Sequence, residues 1–113
     1  MKKAIAIVLF AFSAAAHSES QLGIEVYPGA KEDAAVAKQV KQKLKIDAKT
    51  YRTSDDVAKV TEFYKRQNLT QQSATKKGAM FTGKTANVTI QSPWLDMDTG
   101  KMNNDTLISI VGK

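Results

Sequence analysis

The sequence predicts a small α+β domain, in which two amphipathic helices pack on one face of a mainly antiparallel sheet of about four or five strands. Two kinds of periodicity support this two-layer fold. In two segments, apolar residues recur every three or four positions, as in helices that bury one side. Elsewhere apolar and polar residues alternate, as in half-buried strands, and the last three such segments follow one another as in a three-stranded meander.

The chain begins with a segment typical of a secretory leader. Lys2 and Lys3 precede the uncharged, mostly apolar run 4–16. This run is shorter than the roughly 20 residues that a membrane-spanning helix requires, and no basic stop-transfer cluster follows it. The pattern therefore predicts a cleaved signal peptide and no stable membrane anchor.

The cleavage position sets the domain boundaries. Small residues favour cleavage after Ser18, with cleavage after Ala16 as the alternative. We therefore expect residues 1–18 to be a signal peptide and residues 19–113 to form one α+β domain. The mature protein would then be periplasmic or secreted.

The first part of the mature chain predicts a strand, a helix and a second strand. Residues 22–27 alternate in polarity and end at the turn residues Pro28 and Gly29. Residues 32–45 show a thin apolar stripe at helical spacing, with lysines on the opposite side. Residues 46–52 alternate again, so we expect a strand there.

The second helix has the strongest signal in the sequence. Thr53 or Ser54 can cap its first turn, which holds Asp55 and Asp56 near the positive helix end. The helix is expected to end near Gln67 or Asn68. The apolar residues on its buried side are Val57, Val60, Phe63 and Tyr64.

Three further strands are expected at residues 79–82, 86–92 and 106–111. Gly83 stands between the first two, where a tight hairpin needs a permissive backbone. The last strand is apolar on both faces, which is typical of a central strand covered on both sides. A partner subunit, a ligand or loop residues such as Trp94 and Met97 could supply the second cover.

Two short segments resemble a group of small exported bacterial proteins. One is the turn Tyr27-Pro28-Gly29-Ala30. The other is Tyr51-x-Thr53-x-Asp55, which runs into Val57, Val60 and the Phe63-Tyr64 pair. The resemblance covers about half of the mature chain and implies no activity, cofactor or catalytic residue.

The composition narrows the chemistry further. The chain has no cysteine, and its one histidine, His17, lies at the leader junction. Cleavage after Ser18 would remove His17 and leave no imidazole or thiol for a Ser-His or Cys-His catalytic pair, or for a zinc site. Cleavage after Ala16 would make His17 the N-terminal residue, where it could chelate copper, but without a second histidine to complete a strong site. The net charge of +6 falls to about +4 without the two leader lysines, and export argues against a nucleic-acid partner. We predict no catalytic residue, metal or cofactor.

The segment between residues 95 and 106 is the one candidate for a metal loop. In an EF-hand register that starts at Asp96, Asp98 fits position 3. The register fails afterwards, because Gly100, Lys101 and Leu107 occupy positions that need an oxygen ligand, a glycine and a glutamate. We therefore predict a hairpin connection, with a calcium site as the alternative.

These observations favour a non-catalytic binding or interaction module in the cell envelope. Its partner would be an envelope protein or an anionic envelope component. Two alternatives remain: a small metal-dependent or hydrolytic enzyme built around Asp96 and Asp98, and a structural homodimer formed through the last strand. The residues expected at the interaction surface are Trp94, Asp96, Asp98, Lys38, Lys41 and Lys45.

Overall fold

The computed structural model describes residues 20–113, and it shows an α+β fold built around one antiparallel sheet. Two helices and ten strands make up this part of the chain. In chain order they are β1 (Ser20–Gln21), β2 (Ile24–Glu25), β3 (Lys31–Glu32), α1 (Ala34–Leu44), β4 (Ala48–Thr53), α2 (Val57–Lys65), β5 (Thr70–Thr75), β6 (Gly78–Thr82), β7 (Ala86–Gln91), β8 (Trp94–Leu95), β9 (Met102–Asn103) and β10 (Thr106–Gly112). The α+β class predicted from the sequence is confirmed.

The main sheet has six strands in the order β3-β4-β10-β7-β6-β5, rather than the four or five expected. All neighbours are antiparallel. β10 lies inside the sheet, where Ile108 stands opposite Tyr51 of β4 and Ile90 of β7. The prediction of a central last strand is therefore confirmed.

Helix α2 covers the face of the sheet that carries Ile108. Val57, Val60 and Tyr64 of the helix join this buried cluster, whose sheet side includes Phe81 and Ile90. The expectation of a buried helix face is confirmed, because the apolar residues at helical spacing do enter the main core.

The cap of α2 differs from the predicted one. Asp56 is the N-cap residue, and its side chain accepts a hydrogen bond from the Lys59 amide at 2.9 Å. Thr53 still belongs to β4, and its hydroxyl accepts from the Asp55 amide. The helix therefore begins later than expected, because the strand continues through the residue that the sequence offered as a cap.

Helix α1 lies on the opposite face, so the predicted two-layer arrangement with both helices on one side is wrong. Leu107 precedes Ile108 in β10 and therefore points away from the α2 side. It forms a second cluster with Val36 of α1 and Trp94. The sheet thus separates two helices, and α1 and Trp94 supply the second cover of β10.

The closing meander is longer than predicted. The expected strands correspond to β6, β7 and β10, which are neighbours in the sheet, but β5 extends the series at the outer edge. β5 was not predicted, because all six of its residues are exposed and apolar residues do not alternate with polar ones along it. At Gly83 the reason for glycine is space, since a Cβ would lie 2.9 Å from the carbonyl oxygen of Ala86.

The predicted first strand is reduced to a short hairpin, in which β2 pairs only with β1. The predicted signal peptide, residues 1–18, lies outside the described residues. Within residues 20–113, neither helix has the length and apolar composition needed to cross a membrane.

Candidate functional site

Trp94 is an internal residue, although the sequence placed it at a surface. Its side chain is 1% exposed and packs with Val36 and Leu107. The indole Nε1 donates a hydrogen bond to Oδ1 of Asp105 at 2.9 Å. Trp94 therefore fills the space between α1 and β10 and cannot itself contact a partner.

An ion-pair network fixes this tryptophan and the start of α1. The guanidinium carbon of Arg52 lies 4.9 Å from the centre of the Trp94 ring. Arg52 Nε donates to Asp105 at 2.8 Å, and its Nη1 donates to Asp33 at 3.3 Å. The other oxygen of Asp33 caps α1 by accepting from the Val36 amide. Hydrogen bonding to Asp105 raises the pKa of Arg52 above its usual value.

A polar depression of about 480 Å³ adjoins Arg52. Acidic and basic side chains both line it, and the guanidinium inside it already contacts two carboxylates. Arg52, Asp33 and Asp105 therefore pair with one another, and Glu32 pairs with Lys49, so we assign this depression a structural role.

The segment after β8 is a hairpin connection. Oδ1 of Asp96 accepts hydrogen bonds from the amides of Asp98 at 2.9 Å and Thr99 at 3.2 Å. These bonds, with that of Thr99 first, lower the pKa of Asp96. Gly100 has φ 75°, a conformation that favours glycine and lets the chain turn back toward β9. Asp96 thus shapes the loop, while Asp98 is exposed.

The same stretch lacks the ligand set of a metal site. Within residues 20–113, no group of three or more His, Cys, Asp or Glu side chains lies close enough to hold an ion.

Gln39 joins the loop to α1, a role that was not predicted from the sequence. Its Nε2 donates to Oδ1 of Asp96 at 3.2 Å, and its Oε1 accepts from the Met97 amide at 3.1 Å. The side chain is buried. The available signal was its position, because a glutamine one turn after Val36 lies on the apolar side of the helix.

A groove of about 350 Å³ runs between α1 and the β10-β7 part of the sheet. Apolar side chains dominate its lining, and none of the lining residues is charged. They are Val36, Gln39, Val40, Leu44, Ile46, Ala48, Thr89, Gln91, Leu95, Met97, Leu107, Ser109 and Val111.

Exposed apolar side chains collect around this groove. Leu44, Ile46 and Leu95 line it, and the exposed fractions of Leu44 and Leu95 are 54% and 51%. Met80 stands opposite the groove residue Thr89, and Met102 stands opposite Leu95. The described residues include six exposed large apolar side chains. Five of them line the groove or stand opposite a lining residue, and the exception is Leu22.

The predicted lysine stripe is separate from the groove. Lys38 and Lys41 lie on the solvent side of α1, and Lys45 follows as its C-cap. Lys41 pairs with Asp47 at 2.8 Å. Lys43 was not among the predicted interaction residues. It is exposed and lies outside the lining, one helical turn from the lining residues Gln39 and Val40 on the same side of α1.

Comparison with protein-family models, curated proteins and solved structures yields no match. The candidate site therefore depends on the geometry of this chain alone.

Proposed function

We propose that the protein is a non-catalytic binding module that holds an apolar ligand in the groove beside α1. The observation that carries this proposal is the set of exposed apolar side chains around one uncharged groove. Isolated exposed apolar residues are ordinary on protein surfaces, whereas a contiguous patch marks a binding site. Leu44 and Leu95 would each lose water contact when the groove is filled, which favours binding by about 25 cal/mol per Å² covered.

The walls of the groove are held in place before any ligand binds. The Asp33–Arg52 contact fixes the start of α1, and Gln39 ties its middle to the Asp96 loop. A site whose walls are already ordered loses less conformational entropy on binding. The structure around the groove therefore supports ligand binding by a preformed surface.

We further propose that the protein works outside the cytoplasm. The leader pattern supports this. Cleavage after either Ala16 or Ser18 would leave every described element intact, because β1 begins at Ser20. N-terminal sequencing of the protein recovered from the periplasm tests both the location and the cleavage position. An intact N-terminus on cytoplasmic protein would contradict this proposal.

Binding in the groove can be tested with a neutral solvatochromic dye such as N-phenyl-1-naphthylamine. We expect dye emission to rise with the wild-type protein, and NMR shift changes to collect at Val40, Leu95 and Ser109. Thr89→Tyr should fill the groove and reduce binding at least fivefold. Gln71→Tyr adds the same ring to the edge strand β5, on the face of the sheet that points away from the groove. It should leave binding unchanged.

Two outcomes would contradict the proposed site. One is dye binding that Thr89→Tyr and Gln71→Tyr reduce equally, and the other is the absence of any binding. Circular dichroism and the urea midpoint of each variant separate a filled groove from a misfolded domain.

The enzyme alternative predicts a different result. Calcium or a transition metal should raise the Tm of the wild-type protein, and the Asp96→Asn, Asp98→Asn double variant should abolish that rise. Because Asp96 already accepts hydrogen bonds from two loop amides and from Gln39, we expect no such rise.

A further inference from the structure

We propose that the ligand of this groove is a long-chain carboxylic acid, whose chain lies along α1 and whose carboxylate pairs with Lys43. This inference rests on the proposed function, and it adds the chemical class of the ligand and its direction in the groove.

The size of the groove favours a small ligand over a polypeptide. Its volume of about 350 Å³ falls in the range of roughly 300–1,000 Å³ that is typical of small-molecule sites. A stable protein partner would instead cover about 800 Å² on each side. The groove follows α1, whose 11 residues make it about 16 Å long. A narrow site of this length suits one unbranched chain.

The lining favours an aliphatic chain. Val36, Val40 and Leu44 recur along α1 and form one wall, and Leu107 and Val111 contribute the apolar part of the floor. No charged side chain interrupts this surface. The amide of Gln39 is held in place by its hydrogen bonds to Asp96 and Met97, so this polar group of the lining is already partly engaged within the protein.

Charge differs between the two ends of the groove. Lys43 lies one turn beyond Gln39 and Val40 on the same side of α1, and no described carboxylate pairs with it. The opposite end, near Leu95 and Met97, carries Asp96 and Asp98. Asp47 also lies at the Lys43 end, between the lining residues Ile46 and Ala48, but its charge is paired with Lys41 at 2.8 Å. An anionic head group is therefore attracted to Lys43 and repelled from the loop end.

The direct test compares ligands that share one chain and differ only in the head group. Dodecanoate, dodecanol and dodecyltrimethylammonium are titrated below their micelle-forming concentrations, with binding measured by calorimetry. Trp94 supplies an independent signal, because it is the single tryptophan and packs against two residues of the lining. Because Lys43 is exposed, we expect dodecanoate to bind about twofold to fivefold more tightly than dodecanol, and the ammonium compound to bind weakest.

A matched pair of charge variants locates the head group. Lys43→Glu should weaken dodecanoate binding by about threefold to tenfold, and should leave dodecanol binding unchanged. Lys38→Glu makes the same change on the solvent side of the same helix and should alter neither affinity.

The outcomes separate this inference from the proposed function. If dodecanol and dodecanoate bind equally, or if Lys43→Glu and Lys38→Glu behave alike, the carboxylate assignment is wrong while the groove remains a binding site. If neither the three dodecyl compounds nor the neutral dye binds, both the proposed function and the carboxylate assignment are wrong. Binding to anionic vesicles without binding of free dodecanoate overturns the inference in favour of a membrane surface. A dimer that Thr89→Tyr dissociates overturns it in favour of a second copy.

Discussion

Asp105→Ala is the sharpest test of how the structure holds α1 against the sheet. The two carboxylate oxygens of Asp105 serve different partners. Oδ1 accepts from the Trp94 indole at 2.9 Å, and Oδ2 accepts from Arg52 Nε at 2.8 Å. The variant removes both acceptors and leaves the neighbouring side chains in place.

The expected loss of stability has two parts. Trp94 is 1% exposed, so its N–H would stay buried without an acceptor, at a cost of about 1–3 kcal/mol. The side chains of Arg52 and Asp105 are 38% and 26% exposed, and a pair so open to water contributes only about 0.5–1 kcal/mol. Together we expect a loss of about 1.5–4 kcal/mol, which lowers the Tm of a domain of this size by roughly 6–30 °C.

Urea unfolding followed by Trp94 fluorescence measures this loss. Asp105→Asn is the matched control, because its amide oxygen can still accept from Trp94 while the charge opposite Arg52 is removed. It should cost about 1 kcal/mol. Asp47→Ala removes a carboxylate from the exposed pair with Lys41 and should cost less than about 0.5 kcal/mol.

Two results would refute this reasoning. If Asp105→Ala costs no more than Asp47→Ala, the network does not stabilise the fold. If Asp105→Asn costs as much as Asp105→Ala, the ion pair with Arg52 dominates, and the buried indole bond does not have the value assigned to it.

The remaining predictions concern pH and the core. Burial, followed by the hydrogen bond to Asp55, raises the pKa of Tyr27 from 10.0 to about 12, so the stability linked to its proton is present below pH 10 and lost as the pH rises toward 12. Ultraviolet titration should show this pKa falling in Asp55→Asn. The pKa of Asp96 is lowered below 3.8, so its carboxylate carbon should titrate below that value by NMR, and the loop should loosen as the pH falls through the folded pKa. Val60→Ala should cost about 2–3 kcal/mol in urea unfolding because Val60 is fully buried, whereas Val40→Ala beside the open groove should cost less than about 1 kcal/mol.

The elements that the sequence predicts well are those whose own periodicity defines them. The apolar residues of α2 recur at helical spacing, and the structure buries Val57, Val60 and Tyr64 together. The doubly apolar pattern of β10 marks a central strand, and Leu107 and Ile108 do enter separate clusters on its two sides. In both cases the packing follows from residues within one segment.

Features that depend on distant contacts were not predictable from the sequence. An amphipathic pattern shows that α1 buries one side, but not which face of the sheet receives it. The position of α1 depends on Asp33, Arg52 and Asp105, which come from three separate segments. β5 is stabilised by pairing with β6, so its exposed polar side chains carry no strand signal.

The candidate site shows the same division. Trp94 and Asp96 attracted attention because tryptophan and paired aspartates often mark function, yet both are used to position the structure around the groove. The groove itself was not predicted, because α1, the sheet and the loop each contribute part of it. Lys43 gains its proposed role only from its place at one end of that groove.

The sequence at the floor of the groove explains why it stays open. Ser109 stands opposite Thr89 across β10 and β7, at the place where larger apolar side chains would meet Val40 and Leu44 of α1. A leucine in either strand position would bury more apolar surface and close the gap, which ordinarily stabilises a small domain. The chain instead combines small hydroxyl residues on the floor with exposed leucines at the rim. If the proposed function is right, a ligand in the groove would cover the apolar surface that these small floor residues leave open to water, and would thereby stabilise the folded protein.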